Sequence, residues 1–332
     1  MNITVLGSGG WGTALALLLL ENGHAVTLWS HREEEAAALR ERGENPVLPG
    51  VLLPKGLKFT ADIACVKGCQ AIVLATPSFA ARSTARQMKE LLEPGAVVIS
   101  VSKGIEKDTS LTLTEAIGEE LPGHPVAALS GPSHAEEVGR HIPTAVVAAA
   151  KDKAVAGLVQ DIFMSQRFRV YTTDDVVGVE LGAALKNVIA LSAGVSDGLG
   201  LGDNTKAMLM TRGLTEIARL GEAMGGRKET FAGLAGVGDL IVTCTSMHSR
   251  NRRCGILIGK GTPVEEAVKE IGMVVEGYYA AATAKTLADK LGVEMPITNA
   301  AYQVLYEGKD PRAAVTELMT RDKKPENEES WV

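Results

Sequence analysis

The chain begins with an apolar segment that runs directly into a glycine-rich turn, and this feature constrains the fold more than any other. Ile3-Thr-Val-Leu6 has the composition of a buried parallel strand. Thr13-Ala-Leu-Ala-Leu-Leu-Leu-Leu20 is predicted to be a helix, and Gly7-Ser-Gly-Gly-Trp-Gly12 joins the two with the spacing GxGxxG. A helix that starts just after such a turn presents unpaired N–H groups and a partial positive charge to an anion. The segment therefore predicts a dinucleotide-binding site.

Each glycine of this turn has its own expected role. Gly7 turns the backbone sharply, Gly9 lets the main chain approach the pyrophosphate, and Gly12 lets the helix pack closely on the strand. The motif alone is common, so the prediction depends on its position between a strand and a helix.

The end of the second predicted strand bears on which dinucleotide binds. Ala25-Val-Thr-Leu-Trp29 is followed by Ser30, His31 and Arg32. Folds selective for NAD usually place Asp or Glu here to bind the ribose hydroxyls, whereas an arginine accommodates the 2′-phosphate of NADP. Because Ser30 is not a carboxylate and the next two residues add positive potential, the sequence favours NADP(H), with NAD(H) tolerated. The alternative is that Arg32 only pairs with a glutamate among residues 33–35.

Composition and charge exclude several classes of protein. Of 332 residues, 45% are hydrophobic and 22% are charged, as in an ordinary globular enzyme of about two domains. The net charge of −6 argues against a general nucleic-acid-binding protein, which needs a basic surface. The first residues carry no basic leader, and no apolar stretch approaches the ~18 residues of a membrane span. We therefore expect a cytoplasmic protein without a signal peptide or a membrane span.

The four cysteines indicate neither a disulfide framework nor a metal centre. Cys65, Cys69, Cys244 and Cys254 form no CxxC pair and no compact pattern. We expect all four to be reduced, and we predict no metal site.

Short apolar strands alternate with helices in the first half of the chain. After the first two, strands are predicted at 71–75, 96–102, 125–130, 144–149 and 168–172. Uniformly apolar strands separated by helices indicate a mostly parallel sheet that is covered on both faces. Residues 1–174 are therefore predicted to form a doubly wound α/β domain of the Rossmann type, which binds ligands at the carboxyl ends of its strands.

The second half changes character. Residues 175–320 are predicted to form an all-α domain that closes over that edge of the sheet. Helices are predicted at 176–195, 205–224, 250–259, 263–270, 278–291, 297–306 and 311–319. Residues 321–332 are charged and lack periodicity, so they are predicted to be a flexible tail.

Lys186 is the candidate catalytic residue. It lies in Leu181-Gly-Ala-Ala-Leu-Lys-Asn-Val-Ile-Ala-Leu191, a helix that is apolar nearly all round and is therefore expected to be buried. Burial lowers the pKa of a lysine, which suits it to act as a general acid or base near neutral pH. A hydride-transfer enzyme needs one such group to give a proton to the carbonyl oxygen or to take one from the hydroxyl. The alternative is that the side chain extends to solvent.

Two further residues are candidate partners of this lysine. Lys103 follows a predicted strand at the ligand-binding edge, where it could hold the substrate or be a solvated loop residue. Asp239 follows the glycines of Gly236-Val-Gly and is a candidate counter-ion for Lys186, although Asp in a glycine turn is often only a turn residue.

Ser249-Arg-Asn-Arg-Arg253 predicts an anion site. Ser249 is a plausible N-cap for the helix that follows, and Arg250 and Asn251 lie at its N-terminus. Arginine, amide and helix terminus together suit a phosphate ester. The alternative is a solvated basic helix start.

Seven segments together resemble the NAD(P)-dependent glycerol-3-phosphate dehydrogenases of the soluble bacterial type. They cover nearly the whole chain, and it is their shared order that makes the resemblance specific. The segments are Gly7-Ser-Gly-Gly-Trp-Gly-Thr-Ala-Leu-Ala16, Ser102-Lys-Gly-Ile-Glu106, Ser130-Gly-Pro-Ser-His-Ala135, Leu185-Lys-Asn-Val188, Gly236-Val-Gly-Asp-Leu240, Ser249-Arg-Asn251 and Val275-Glu-Gly277.

The resemblance implies a reaction and a role for each matching residue. It implies the interconversion of sn-glycerol 3-phosphate and dihydroxyacetone phosphate, which supplies phospholipid synthesis, and similar proteins are commonly homodimers. Lys186 matches the proton acceptor. The implied substrate-binding residues are Lys103, Gly131, Ser133, Lys186, Asp239, Ser249, Arg250 and Asn251. Besides Gly7, Gly9 and Gly12, the implied cofactor contacts are Gly10, Trp11, His31, Arg32, Lys103, Ala135, Arg250, Val274 and Glu276.

Two of these positions differ from related members of the family. Gly10 stands where serine is common, so only its backbone N–H is left for a contact, and Ser133 stands where threonine also occurs. Neither change removes a group that the reaction needs.

Two other functions fit parts of the pattern. A different two-domain dehydrogenase with a lysine acid/base, acting on a β-hydroxy acid or ketopantoate, would differ in how it anchors its substrate. A catalytically silent dinucleotide sensor would need no titrating lysine in its cleft.

Overall fold

The computed structural model describes residues 1–326, which contain eight β-strands and fifteen α-helices. The strands are β1 Asn2–Leu6, β2 Ala25–Trp29, β3 Lys58–Thr60, β4 Ala71–Leu74, β5 Val97–Ser100, β6 Val126–Ser130, β7 Thr144–Ala149 and β8 Phe168–Thr173. The first six helices are α1 Gly10–Glu21, α2 Glu33–Arg42, α3 Ala81–Met88, α4 Leu113–Glu120, α5 Ala135–Val138 and α6 Lys153–Phe163. The others are α7 Val176–Gly198, α8 Gly202–Ala223, α9 Lys228–Phe231, α10 Asp239–Thr245, α11 Arg250–Gly259, α12 Val264–Ile271, α13 Glu276–Leu291, α14 Pro296–Tyr306 and α15 Pro311–Met319.

All eight strands form one sheet in the order β3-β2-β1-β4-β5-β6-β7-β8. Every neighbouring pair is parallel except β6 and β7. The strand order reverses between β1 and β4, and a crevice for a ligand forms at such a reversal, outside the carboxyl ends of the strands. The structure confirms the predicted doubly wound, mostly parallel sheet.

Alternating side chains of the strands fill two different cores. Val5 and Val73 point to the same side as Leu15 of α1, whereas Ile72 and Leu74 pack with Met88 of α3 on the other side. The sheet is therefore covered on both faces, as its uniformly apolar strands predict.

Helix α7 forms the centre of the helical half. It packs closely against α11 because glycines face each other: a Cβ on Gly194 would lie 2.1 Å from the Arg252 carbonyl oxygen, and one on Gly255 would lie 2.0 Å from that of Leu191. With 23 residues and a mean hydropathy of 1.5, α7 is long and apolar enough to cross a membrane, but 89% of that window is buried in the protein. The sequence predicted no apolar stretch of about 18 residues, and α7 corrects that expectation. The burial is that of a core helix.

A buried carboxylate fixes α7 against α4. Glu180 accepts a hydrogen bond from the backbone N–H of Thr114 at 2.9 Å and another from the Thr114 hydroxyl. The contact lies at the N-terminus of α4, where unpaired N–H groups stabilise an anion. Because burial outweighs these hydrogen bonds, the pKa of Glu180 rises to about 7. This contact helps to hold Lys186, less than two turns further along α7, at the edge of the sheet.

Three elements differ from the sequence prediction. β3 has only three residues and no clear apolar pattern, and α4 was missed although Thr112 and Glu115 form a capping box at its start. Residues 236–243, expected to be a glycine turn, instead contain the end of a π-helical turn, Leu234–Gly238, and most of α10.

β8 ends at Thr173 and α7 begins at Val176, on either side of the predicted boundary, and the division into two domains stays our proposal. In the predicted tail, Arg321 and Lys324 pair with Glu294, and residues 327–332 lie outside the described part of the chain.

Candidate active site

Two lysines and one aspartate from distant parts of the chain meet at the edge of the sheet. Asp239, at the start of α10, is buried and accepts from both lysines: its Oδ1 lies 2.7 Å from Lys186 Nζ and its Oδ2 lies 2.8 Å from Lys103 Nζ. One carboxylate thus bridges the helical half and the loop that follows β5. This bridge is the centre of the candidate site.

Lys186 does not extend to solvent. Only 4% of the residue is exposed, and its Nζ also donates to Thr243 Oγ1 at 2.5 Å. Sequence reasoning did not select Thr243. Because α10 is a helix and Thr243 follows Asp239 by four residues, the two side chains lie on one face of it.

Burial is the main reason why the pKa of Lys186 falls to about 8. The neighbouring ammonium of Lys103 lowers it further, whereas Asp239 opposes the shift. Burial alone would raise the pKa of Asp239, but the two ammonium groups outweigh it and hold that pKa below its ordinary value. The cluster therefore contains a carboxylate that stays ionised and a lysine that can exchange a proton near neutral pH.

Lys103 also links the cluster to the loop after β6. Its Nζ lies 2.9 Å from the Gly131 carbonyl oxygen and 3.5 Å from Ser133 Oγ. Gly131 has φ of +146°, and a Cβ there would lie 2.9 Å from the Val146 Cα atom, so the turn requires glycine. Through Lys103 the structure thus brings Gly131 and Ser133 near Asp239.

A chain of amides connects α7, α11 and α13. Asn251 Nδ2 donates to Asn187 Oδ1 at 2.9 Å, and Asn251 Oδ1 accepts from the Gly277 backbone N–H at 2.8 Å. Because Asn187 directly follows Lys186, this chain fixes the start of α11 next to the lysine. Asn187 was noted in the sequence only as a neighbour of Lys186.

The arginines at the start of α11 have different roles. Ser249 caps the helix by accepting from the Arg252 backbone N–H at 3.2 Å. The Arg252 guanidinium is held by Asp197 at 2.7 and 2.8 Å, and Arg253 is exposed. Arg250 is half-buried and donates no hydrogen bond to any residue of the described chain. Of the three, Arg250 is therefore the partly buried guanidinium that no described residue holds by a hydrogen bond.

Two carboxylates face Arg250 without a direct ion pair. Burial lowers the pKa of Arg250, and Glu276 and Glu136 oppose that shift. Glu276 begins α13 and accepts from Ser78 Oγ at 2.7 Å and from the Ser78 backbone N–H at 3.3 Å. Glu276 thus lies where the helical half meets the loop after β4, and Val274 is partly buried two residues before it.

The glycine turn has the shape that a pyrophosphate requires. Gly7 has φ of +123°, and a Cβ on Gly12 would lie 1.9 Å from the Gly7 carbonyl oxygen. A Cβ on Gly9, by contrast, would meet nothing within 4 Å, so the backbone there is open to a ligand. The indole Nε1 of Trp11 is buried without a partner among the described residues. Gly10 lies against Ala135 of α5, with 3.6 Å from its ideal Cβ to the alanine Cβ.

The end of β2 shows the contact that the sequence left as an alternative. Arg32 pairs with Glu35, and Glu35 Oε2 also accepts from Ser30 Oγ at 2.6 Å. His31 is exposed beside them. Sequence reasoning did not single out Glu35, because it lies in α2 rather than directly after the strand.

Among the described residues, no group of three or more His, Cys, Asp or Glu side chains is arranged to hold a metal ion. The four cysteines form no disulfide among the described residues.

Comparison with known proteins gives matches over nearly the whole chain. The family model for the NAD-dependent glycerol-3-phosphate dehydrogenase N-terminus matches residues 2–156, and the model for the C-terminus matches residues 175–316. A glycerol-3-phosphate dehydrogenase [NAD(P)+] of Moorella thermoacetica is 57% identical, with 98% of each chain covered. One of Desulfitobacterium hafniense is 53% identical, covering 98% of this chain and 93% of the other. The crystal structure of glycerol-3-phosphate dehydrogenase from Coxiella burnetii has a TM-score of 0.93 at 42% identity, covering 96% of this chain and 99% of that one.

Proposed function

Because this chain belongs to the NAD-dependent glycerol-3-phosphate dehydrogenase family and is an NAD(P)-dependent oxidoreductase, we propose that it reduces dihydroxyacetone phosphate reversibly to sn-glycerol 3-phosphate. In this proposal Lys186 gives and takes the proton. The observation that carries the assignment is the buried Lys186–Asp239–Lys103 cluster at the edge of the sheet. Supply of glycerophospholipid synthesis, a cytoplasmic location and a homodimer belong to the same proposal.

The residues of the cluster divide the work of proton transfer. The nicotinamide, when bound, supplies or accepts the hydride. Lys186 Nζ gives its proton to the oxygen of the carbonyl as the alcohol forms, and takes the hydroxyl proton in the reverse direction. Asp239 keeps Lys186 oriented, and Lys103 holds the substrate while its charge lowers the pKa of Lys186.

The substrate's phosphate is assigned to the start of α11. Arg250 supplies the charge, and the backbone N–H groups of the helix terminus, with Asn251 beside them, add hydrogen-bond donors. Binding energy gained at this phosphate positions the distant carbonyl group for reaction. Ser249, as the cap of α11, fixes where this terminus lies.

The dinucleotide is assigned to the glycine turn and the ends of β2 and β4. Gly7, Gly9, Gly10, Trp11 and Gly12 would hold the pyrophosphate. His31 and Arg32 would hold the adenosine end, and Ala135, Val274 and Glu276 would line the side towards the helical half. The open backbone at Gly9 supports this assignment.

The reaction should depend on pH in opposite ways in the two directions. Burial lowers the pKa of Lys186 to about 8, and carbonyl reduction needs the protonated form. We expect kcat/KM for reduction to be constant below this pKa and to fall by about tenfold per pH unit above it. We expect kcat/KM for oxidation to rise with pH up to this pKa and to be constant above it. Initial rates between about pH 6 and 10 in both directions measure the effect. Parallel profiles in the two directions would contradict the role of Lys186.

Cofactor preference should respond to Arg32. We propose that NADP(H) is preferred and NAD(H) is tolerated. We expect Arg32→Ala to shift the ratio of kcat/KM values towards NADH by about tenfold, because a charge-assisted contact to the 2′-phosphate is lost. An unchanged NADPH/NADH ratio would contradict the preference. Arg40→Ala, which removes an exposed arginine from α2, is the matched control.

The proposed activity itself is tested by NADPH absorbance with dihydroxyacetone phosphate as the only added carbonyl compound. Consumption of NADPH supports it. Turnover with a β-keto acid or ketopantoate instead would assign a different substrate. Dinucleotide binding without turnover of any of these would indicate a sensor.

A further inference from the structure

A carboxylate lies at the end of β2 although the sequence has none at that position. Glu35 is in the first turn of α2, and its side chain reaches back so that Oε2 accepts from Ser30 Oγ at 2.6 Å. Its other oxygen pairs with Arg32. Ser30 is 2% exposed and therefore fixed, whereas the Arg32 side chain is 61% exposed. The buried hydroxyl thus holds the carboxylate in place and leaves the arginine free to move.

This position is the one that distinguishes the two dinucleotides in folds of this type. An acidic side chain there binds the ribose 2′-hydroxyl of NAD, and an arginine there accommodates the 2′-phosphate of NADP. In this chain both groups are present, and they are paired with each other. The site can therefore present either the carboxylate or the guanidinium to the dinucleotide, depending on whether Arg32 pairs with Glu35 or with a 2′-phosphate.

We propose that Glu35 is the residue that sets the balance between NADH and NADPH. This inference rests on the proposed assignment of the dinucleotide to the glycine turn and the ends of β2 and β4. Glu35 accepts from a ribose hydroxyl when no 2′-phosphate is present. A 2′-phosphate is repelled by Glu35 and must replace it as the partner of Arg32. The carboxylate therefore favours NADH and weakens the binding of NADPH.

A purely structural role for Glu35 makes a different prediction. Glu33, Glu34 and Glu35 all lie in the first turn of α2, where negative charge stabilises the helix terminus. If Glu35 acted only there, replacing Glu34 would have the same effect on dinucleotide binding. Glu34 is exposed and makes no ion pair among residues 1–326, so Glu34→Gln removes the same charge without the contacts to Ser30 and Arg32.

The test is the dissociation constant of each dinucleotide, measured by calorimetry on the full chain without substrate. For Glu35→Gln we expect tighter NADPH binding and weaker NADH binding, each by several-fold, so that the ratio of the two constants changes by about tenfold or more. For Glu34→Gln we expect a change below about twofold, because screening by solvent weakens an exposed charge. Equal ratios in the two variants would overturn the proposal.

The double variant Glu35→Gln/Arg32→Ala tests whether the two residues act through each other. Glu35→Gln should tighten NADPH binding less when Arg32 is absent, because no arginine is then released. Full additivity of the two substitutions would overturn the exchange of partners.

Failure of this inference is distinguishable from failure of the proposed function. Calorimetry needs no turnover, so a changed binding ratio in a protein inactive on dihydroxyacetone phosphate would leave the role of Glu35 intact. An unchanged ratio in a fully active variant would reject the role of Glu35 and leave the activity intact.

Discussion

Lys186→Ala is expected to reduce turnover by at least ~100-fold, because loss of a positioned general acid or base typically costs that much. Burial lowers the pKa of this ammonium to about 8 and Asp239 holds it in place, so no solvent-exposed lysine can replace it. The dinucleotide is assigned to a different part of the cleft, and we expect the dissociation constant of NADPH to be unchanged. Steady-state rates and calorimetric titration measure the two quantities separately.

A second substitution separates chemistry from packing. Lys186→Met keeps most of the side-chain volume in a position that is only 4% exposed, and it should lose turnover to the same extent. The matched control is Lys285→Met on α13, which removes a lysine paired with Asp289 and should leave turnover unchanged. Turnover retained in a folded Lys186→Met protein would remove this lysine from the mechanism. Removing either lysine of the cluster also leaves Asp239 with one cationic partner, which can lower stability. The melting temperature of each variant should therefore be measured together with its turnover rate.

Arg250→Ala is expected to raise the KM for dihydroxyacetone phosphate by about 10- to 100-fold, since a hydrogen-bonded charge pair contributes about 1.5–3 kcal/mol. Arg250 is half-buried next to Glu276 and donates to no residue of the described chain, so its removal breaks no internal hydrogen bond. The affinity for NADPH should fall less, because the pyrophosphate is assigned to the glycine turn. Initial rates at varied substrate and calorimetry of NADPH test both statements.

The next arginine on the same helix provides the control. Arg253 is exposed, and Arg253→Ala should leave KM within about twofold of the unchanged protein. Arg252 is unsuitable for this purpose, because its guanidinium pairs with Asp197 and a substitution would break that ion pair. An unchanged KM in Arg250→Ala would point to a substrate without a phosphate at this place.

The sequence by itself was enough for the architecture. The chain begins with an apolar strand, a turn in which Gly7 and Gly12 must approach each other, and an apolar helix. Few folds other than the doubly wound sheet fit this sequence of elements. It could be recognised because its constraints act between neighbours in the chain. The alternation of short apolar strands with helices, followed by helices alone, then predicted the sheet and the helical half. Short elements such as β3 and α4 were missed, since three to eight residues carry little periodic signal.

The sequence also identified Lys186 as a candidate, because a lysine is rarely buried within an apolar helix unless it is paired. It could not show what the lysine contacts. Asp239 is 53 residues from Lys186 in the chain and reaches it only because α10 packs on α7. Lys103, which is 136 residues from Asp239, reaches the same carboxylate from the loop after β5.

Only the tertiary structure separated residues that look alike in the chain. Arg250 and Arg252 stand two positions apart on one helix and therefore face different directions, so Asp197 holds one and the cleft receives the other. Likewise Glu34 and Glu35 are adjacent, but only Glu35 reaches Ser30 and Arg32. The sequence determined the local constraints and hence the fold. The tertiary packing of the helices decided which charged side chains contact each other, because those contacts join residues that are far apart in the sequence.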